Sequence, residues 1–221
     1  MRRRGSDRTG SPSPSPDADG PQGFHEMTDG YPAELECRVA VSDHLVVALR
    51  PIRPADSERL VEFHGKLSPR SVYRRYFFMH PSLSDAEIER LTHVDYRDRL
   101  ALIAEADGEM VAVGRYDRSP GSDQAEVAFV VADEYQHHGI GTLLLEHLAA
   151  AAWENGVTTF VAQTLSENRP MLDVFYASGF PVTSTSEYDT VRVQFPIEPD
   201  DAYRSAIAAR RAERSSPRST P

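Results

Sequence analysis

The sequence predicts an α/β domain in which a mixed β-sheet carries helices on both faces. Strand-like segments of alternating polar and apolar residues are interspersed with segments of helical periodicity along most of the chain. Asp107-Gly108 lies between two apolar runs, which is a strong signal for an antiparallel hairpin. The 221 residues suffice for one domain with a sizeable core.

The N-terminal half of this domain is predicted to form a hairpin followed by three helices. Two strand-like runs at residues 37–41 and 45–50 are separated by a short polar turn. Pro54 is predicted to open the first helix. Ser68-Pro69 combines an N-cap with Pro at the first helical position, and Ser84-Asp85-Ala86-Glu87 has the pattern of a capping box.

The second half alternates strands with helices. After the hairpin of residues 100–106 and 109–116, the predicted strands and helices lie at 126–131, 139–154, 157–165, 168–178, 181–184 and 191–195. Asn155-Gly156 is expected to end the long helix. Asn168 is expected to cap the following helix, with Gly179 just beyond its end.

Two segments of different composition flank the predicted domain at residues 31–200. Residues 1–30 are rich in Arg, Ser, Pro, Asp and Gly and contain few apolar side chains, so we predict a disordered tail. Residues 201–221 are predicted to form a short helix from Asp201 and then a second disordered tail.

The composition disfavours several classes of function. A net charge of −10 is unfavourable for nucleic-acid binding, which requires clustered Arg and Lys. The longest apolar runs fall short of the roughly 18 residues that a membrane span needs, and the sequence shows no secretory signal. Cys37 is the only cysteine, which rules out disulfides and cysteine-based metal sites. We expect a cytoplasmic protein with no nucleic-acid partner, no membrane partner and no metal.

The segment from Glu126 to Thr142 has the features of an anion site. A β-rich run enters a loop, and Gly139 and Gly141 then open a long helix. The first N–H groups of a helix lack intrahelical partners, and the helix dipole is positive at that end. Glycines without Cβ atoms let a pyrophosphate approach the backbone. Taken alone, such a glycine pair fits a tight strand-to-helix turn equally well.

Two motifs in register resemble the GNAT acetyltransferase superfamily. Gln136-His137-His138-Gly139-Ile140-Gly141 is similar to its phosphate-binding motif, which has Gln or Arg, two residues, Gly, one residue, and Gly or Ala. The segment from Asn168 to Gly179-Phe180 is similar to its second motif. The resemblance covers about residues 45–196. It implies a mostly antiparallel sheet that is split at the acyl-CoA site, with helices on both faces.

A narrower resemblance suggests an acceptor. Residues 50–54, 67–73, 91–95 and 167–172 are similar to the Pat-type protein lysine acetyltransferases of bacteria. This resemblance implies acetyl-CoA as co-substrate and a protein lysine as acceptor, an acyl-CoA synthetase being one candidate, in a monomer or homodimer. Two alternatives stay open: an enzyme that acetylates a small amine or amino acid, and a non-catalytic acyl-CoA-binding sensor.

The family resemblance also implies roles for individual residues. Glu126 matches the position of a general base, although an exposed strand carboxylate is the other interpretation. The residues implied to bind acetyl-CoA are Phe129, Val130 and Val131 on the strand, Gln136, His137, His138, Gly139, Ile140, Gly141 and Thr142 at the helix start, and Asn168.

One position departs from the family pattern. Many members place a tyrosine seven residues after the asparagine of the second motif, where this sequence has Phe175. Tyr176 comes one residue later, which is about 100° around a helix, so we do not assign it as a general acid. Arg74 and Arg75 are interpreted as a solvated helix face.

Overall fold

The computed structural model describes residues 30–42, 44–201, 203–205 and 208. Nearly all of the tail predicted at 1–30, most of the segment predicted at 201–221, and Asp43 of the first turn lie outside the described residues. Within the C-terminal segment, Asp201, Tyr203, Arg204 and Ser205 are helical, as expected for a helix that begins at Asp201.

The described chain contains eight strands and five helices with defined bounds. In order they are β1 Cys37–Ser42, β2 Leu45–Pro51, α1 Ser57–Lys66, α2 Pro69–Tyr76, α3 Asp85–Thr92, β3 Arg99–Ala106, β4 Glu109–Arg118, β5 Gln124–Val131, α4 Ile140–Glu154, β6 Thr159–Leu165, α5 Arg169–Tyr176, β7 Thr183–Glu187 and β8 Thr190–Pro196. Single 3₁₀ turns precede β1, α1 and α4 at Ala33–Leu35, Pro54–Asp56 and Asp133–Tyr135.

All eight strands belong to one sheet, in the order β1-β2-β3-β4-β5-β6-β8-β7. Its pairings are antiparallel except between β5 and β6, which run parallel. The crossover from β5 to β6 is α4, as a parallel connection requires. The mixed, mostly antiparallel sheet confirms the predicted fold class.

Each face of the sheet has its own apolar core. On one face, α4 contributes Leu144 and Leu148 and α5 contributes Phe175 to the larger core. On the other face, the helices α1 and α2 pack Leu60, Phe63 and Val72 against the sheet with further apolar residues. Helices therefore cover both faces, as the sequence predicts.

Gly114 on β4 permits a close approach between the sheet and α4. A Cβ atom at this position would lie 2.8 Å from Phe129 Cδ1 and 3.2 Å from Leu144 Cβ. A methyl group at that spacing would have to displace both side chains, because core packing leaves little free volume. Gly114 thus sets the depth at which Phe129 sits beneath α4.

Local capping signals account for the starts of α2 and α3. The Ser68 hydroxyl accepts the Ser71 N–H at the start of α2, and Pro69 occupies the first helical position. Ser84 and Glu87 form the expected reciprocal capping box of α3. At the β3–β4 turn, Asp107 and Gly108 both have positive φ, as a two-residue hairpin turn requires.

Three details of the sequence prediction were wrong. Pro54 opens a 3₁₀ turn, and the α-helix starts only at Ser57. The helix after Asn168 ends at Tyr176, two residues earlier than expected. Asn168 occupies its N-cap position without a side-chain cap bond, and its side-chain Nδ2 donates to Thr164 Oγ1.

Candidate active site

A crevice of about 310 Å³ opens where β5 meets the start of α4. Its walls come from β5, the loop after β5, the first turn of α4, the α5 helix and one face of α2. The crevice is lined by both apolar strand side chains and exposed backbone, so it can accept a ligand that carries apolar and anionic parts.

The sheet splits beside this crevice. Parallel pairing between β5 and β6 covers three residues and ends at Glu126↔Val161. Pairing of β5 with β4 continues to Val131, while β6 continues along β8 to Leu165. The second half of β5 therefore has β4 on one side and the crevice on the other.

The hydrogen-bonding pattern shows which backbone groups face the split. Ala132 N–H donates to Val111 O on β4 at 2.9 Å. Because adjacent residues of a strand direct their backbone groups to opposite sides, those of Phe129 and Val131 point away from β4 and into the split. These groups can form a short ladder with an extended ligand that carries amides.

The start of α4 supplies an anion cradle. Gly139 is its N-cap residue and has φ of +80°, a conformation that favours glycine. The next residues, Ile140, Gly141 and Thr142, line the crevice with the first N–H groups of the helix. A Cβ on Gly141 would come within 3.3 Å of Val174 Cγ2, so the missing side chain keeps this wall open.

The Gln136 side chain braces the loop between β5 and α4. Its Nε2 donates to Val131 O at 3.1 Å and to Ser71 Oγ at 3.1 Å. One bond thus holds the end of β5, and the other reaches across the crevice to α2. Because Nε2 already donates both of its hydrogen bonds within the protein, a phosphate can be bound only by the backbone N–H of Gln136.

Asp133 anchors α2 to the same loop. Its carboxylate accepts hydrogen bonds from Ser68 N–H at 2.9 Å, Ser68 Oγ at 2.7 Å and Ser71 Oγ at 2.8 Å. Burial would raise the pKa of Asp133, but the hydrogen bonds from the two serines outweigh this effect and lower the pKa below its usual value. We call Ser68, Ser71, Asp133 and Gln136 the α2 clamp.

Ten of the eleven residues predicted to bind acetyl-CoA line the crevice, the exception being His138. His138 is exposed, whereas His137 lines the crevice with φ of +65°. Asn168 is buried at the start of α5, where it forms part of the wall. The structure therefore brings together strand, loop and helix residues that are widely separated in sequence.

Glu126 lies at the end of the split and outside the crevice lining. It is exposed on β5, and its side chain shares a sheet face with Val130, which packs on the core beneath α1 and α2. Phe129 projects from the other face into the larger core. A group approaching Glu126 would thus come from the α1–α2 side of the sheet.

The solvated-face interpretation of Arg74 and Arg75 was wrong, because both residues line the crevice. They follow Ser71 at helical spacings of three and four residues, so the three share one face of α2. The amphipathic spacing was visible in the sequence, but the partner of that face was not. The α2 clamp is what directs this face to the loop.

The Tyr176 side chain lies away from the crevice. It is 52% exposed, and its hydroxyl donates to Ser184 Oγ on β7 at 3.0 Å. Phe175 is buried in the larger core, where it packs near Phe129 and Phe195. Neither residue is among those that line the crevice within the described chain.

The described residues hold neither a cluster of metal-binding side chains nor a helix suited to crossing a membrane. They contain no group of three or more His, Cys, Asp or Glu side chains placed to hold a metal ion. Among their helices, none combines the length and apolar character that crossing a membrane requires.

Comparison with known proteins gives consistent matches. The model of the acetyltransferase (GNAT) family matches residues 68–180. An acetyltransferase of Pseudomonas aeruginosa is 32% identical over 145 residues, which are 64% of this chain and 78% of that protein. Acetyltransferase Pat of Mycolicibacterium smegmatis is 32% identical over 156 residues, or 69% of this chain, and the match spans 46% of that longer protein.

A solved structure agrees with these sequence matches. The crystal structure of the GNAT domain of PAT from S. lividans is 40% identical to the chain and superposes with a TM-score of 0.71. The match covers 75% of this chain and 99% of that domain.

Proposed function

Because the chain belongs to the GNAT family of acetyltransferases, we propose that it transfers an acetyl group from acetyl-CoA to the side-chain amine of a protein lysine. The family match confirms the resemblance predicted from the two motifs. The observation that supports the proposal most directly is the split between β5 and β6, which lies beside the glycine-lined start of α4.

The crevice residues fit the two chemical parts of acetyl-CoA. On the open side of β5, both backbone groups of Phe129 and the N–H of Val131 are available to amide groups of a pantetheine arm, while Val131 O accepts from Gln136. The backbone N–H groups at Ile140 and Gly141, together with the dipole of a 15-residue helix, favour a pyrophosphate. When bound, acetyl-CoA supplies an activated thioester. The chain orients that thioester and surrounds it with an apolar wall.

We assign Glu126 as the group that removes a proton from the acceptor amine. A lysine with a pKa near 10.4 arrives as an ammonium ion and must become neutral before it can attack a carbonyl. Glu126 lies where β5 and β6 part, at the end of the strand segment that lines the crevice. Glu126 is solvent-exposed, so its carboxylate can take the proton from the acceptor amine directly or through a water molecule.

The choice of a protein lysine over a small amine rests on similarity and charge. The relatives include Pat and PAT acetyltransferases, which resemble this chain over most of its described length. The net charge of −10 favours the approach of a cationic side chain.

Incubation with labelled acetyl-CoA tests the proposed reaction. The purified chain would be added to a heat-treated bacterial lysate, and label would be followed separately in protein lysines and in small amines. Glu126→Gln serves as the inactive variant, and Glu154→Gln, at the exposed end of α4, is the matched control. We expect lysine side chains to be labelled by the wild type and by the Glu154→Gln control, and not by Glu126→Gln.

Two results would contradict the proposed reaction. Label that appears only in small amines would favour a metabolite acetyltransferase. Thermal stabilisation by CoA without any acetyl transfer would favour a sensor that binds acyl-CoA and does not react.

A further inference from the structure

Two arginines of α2 face the crevice from the side opposite the α4 helix start. Arg74 and Arg75 are the cationic side chains among the crevice-lining residues of the described chain. The loop between β5 and α4 contributes histidine at 137, in place of an arginine or lysine. Asp173 on α5 adds one carboxylate to the same lining. The fixed positive charge of the crevice therefore comes from α2.

The α2 clamp holds the helix that carries these arginines. Ser71 donates its hydroxyl proton to Asp133 Oδ1 at 2.8 Å and accepts a hydrogen bond from Gln136 Nε2 at 3.1 Å. Arg74 and Arg75 lie one helical turn further along the same face of α2. The contacts that fix the anion-binding loop thus also fix the distance between that loop and the α2 backbone that carries the two arginines.

Hydrogen-bonding capacity is left over at Arg74. Its Nε is buried and has no hydrogen-bond partner among the described residues. A buried N–H group without an acceptor costs free energy, and a charged one costs more. Arg75 is placed differently, with its guanidinium carbon 5.2 Å from the centre of the Tyr76 ring. A planar guanidinium matches the spacing of phosphate oxygens, which supply acceptors and negative charge together.

We propose that Arg74 and Arg75 bind phosphate groups of coenzyme A, closing the crevice from α2 while the α4 helix start binds from the other side. The inference rests on the proposed use of this crevice for acetyl-CoA. It assigns to α2 the positive charge that the histidine-containing loop does not provide. Arg74 is the principal ligand, because its Nε lacks a protein acceptor.

Calorimetric titration with coenzyme A tests this assignment. Arg74→Gln and Arg75→Gln would be compared with Arg70→Gln, which removes the same charge from an exposed position of α2 outside the crevice. We expect the dissociation constant for coenzyme A to rise roughly 10- to 100-fold in Arg74→Gln, less in Arg75→Gln, and little in Arg70→Gln. Circular dichroism would verify the fold, and Arg74→Lys, which retains charge, should lose less affinity.

Two further ligands identify the group that is bound. If dephospho-CoA binds wild type and Arg74→Gln equally, the partner of Arg74 is the 3′-phosphate. If dephospho-CoA loses affinity as much as coenzyme A does, the partner is the pyrophosphate. S-acetylpantetheine carries no phosphate, so its turnover should be the same in wild type and variant.

Failure of this inference can be separated from failure of the proposed function. A wild type that binds coenzyme A, with unchanged affinity in both arginine variants, overturns the role of the arginines alone. A variant that loses turnover of S-acetylpantetheine as much as that of acetyl-CoA shows a general structural defect and also overturns it. A wild type that binds no coenzyme A overturns both the arginine role and the acetyltransferase proposal.

Discussion

The Ser71 hydroxyl donates to Asp133 Oδ1 at 2.8 Å, joining residues that are 62 positions apart in the sequence. Ser71 lies on α2, and Asp133 lies in the turn that leads from β5 to the anion cradle of α4. The same hydroxyl accepts from Gln136, so one buried oxygen connects both sides of the crevice. This contact couples the position of α2 to that of the loop.

Ser71→Ala should weaken acetyl-CoA binding more than it slows the chemistry. Removing the hydroxyl deletes one bond to Asp133 and one from Gln136, which we expect to cost about 0.5–1.5 kcal/mol of stability for each bond. The KM for acetyl-CoA should rise several-fold with a smaller change in kcat, as steady-state kinetics would measure. Ser57→Ala is the control, because Ser57 makes a comparable bond to Pro54 O at the start of α1. An unchanged KM in Ser71→Ala would show that the clamp does not shape the crevice.

Glu126→Gln should abolish most of the turnover while preserving binding. General-base catalysis contributes about 10²- to 10⁴-fold, so kcat should fall by a factor in that range. Glu126 does not line the crevice, and the affinity for coenzyme A should therefore stay at the wild-type value. The deficit should shrink as pH rises toward the lysine pKa of about 10.4, because more acceptor is already neutral. Turnover equal to wild type across this pH range would remove Glu126 from the mechanism.

The sequence predicts the parts of the fold that short-range chemistry controls. Ser84 and Glu87 specify a helix start, and Asp107-Gly108 specifies a hairpin, because each interaction is completed within four residues. These features depend little on the remainder of the chain, which is why they could be predicted correctly.

The environment of α2 could not be predicted in the same way. Its helical face of Ser71, Arg74 and Arg75 resembles any solvated amphipathic surface until the contact with Asp133 is known. Asn168 is a different kind of miss: its type and position suit an N-cap, but its side-chain amide donates to Thr164 Oγ1, four residues earlier at the end of β6. A contact between distant segments decides the case of α2, and the local sequence carries no signal for it.

Gly139→Ala should damage both the fold and the anion cradle. A non-glycine residue held at φ of +80° is strained by about 1–2 kcal/mol, which urea unfolding would detect as a loss of stability. Because the strain falls at the N-cap of α4, the affinity for coenzyme A should fall as well. The control is Gly65→Ala in α1, where an added Cβ meets no atom within 4 Å. That substitution should stabilise the chain by up to about 1 kcal/mol through helix propensity. Gly139→Ala with wild-type stability and affinity would show that another residue can form the cradle.

The stability of the chain should fall as pH decreases through the range of histidine titration, because His64 is buried between α1 and the sheet. Its Nε2 has no hydrogen-bond partner among the described residues, and its ring lies 5.7 Å from that of His80. Burial is the main cause that lowers the pKa of His64, and the positive charge of His80 lowers it further. The carboxylate of Glu87 opposes these two effects in part. Because the folded pKa lies below the unfolded value near 6.5, the unfolded chain binds more protons, and stability rises with pH in this window.

Urea unfolding between pH 5 and 8 measures this dependence. The wild type should lose stability as pH falls below about 6.5, and His64→Gln should lose less over the same interval, since glutamine does not titrate there. His44→Gln, at the exposed turn between β1 and β2, controls for the removal of a histidine as such. The decline should level off once pH lies below the folded pKa of His64, where both states carry the proton. A wild type and His64→Gln with parallel pH profiles would show that His64 does not cause the loss of stability.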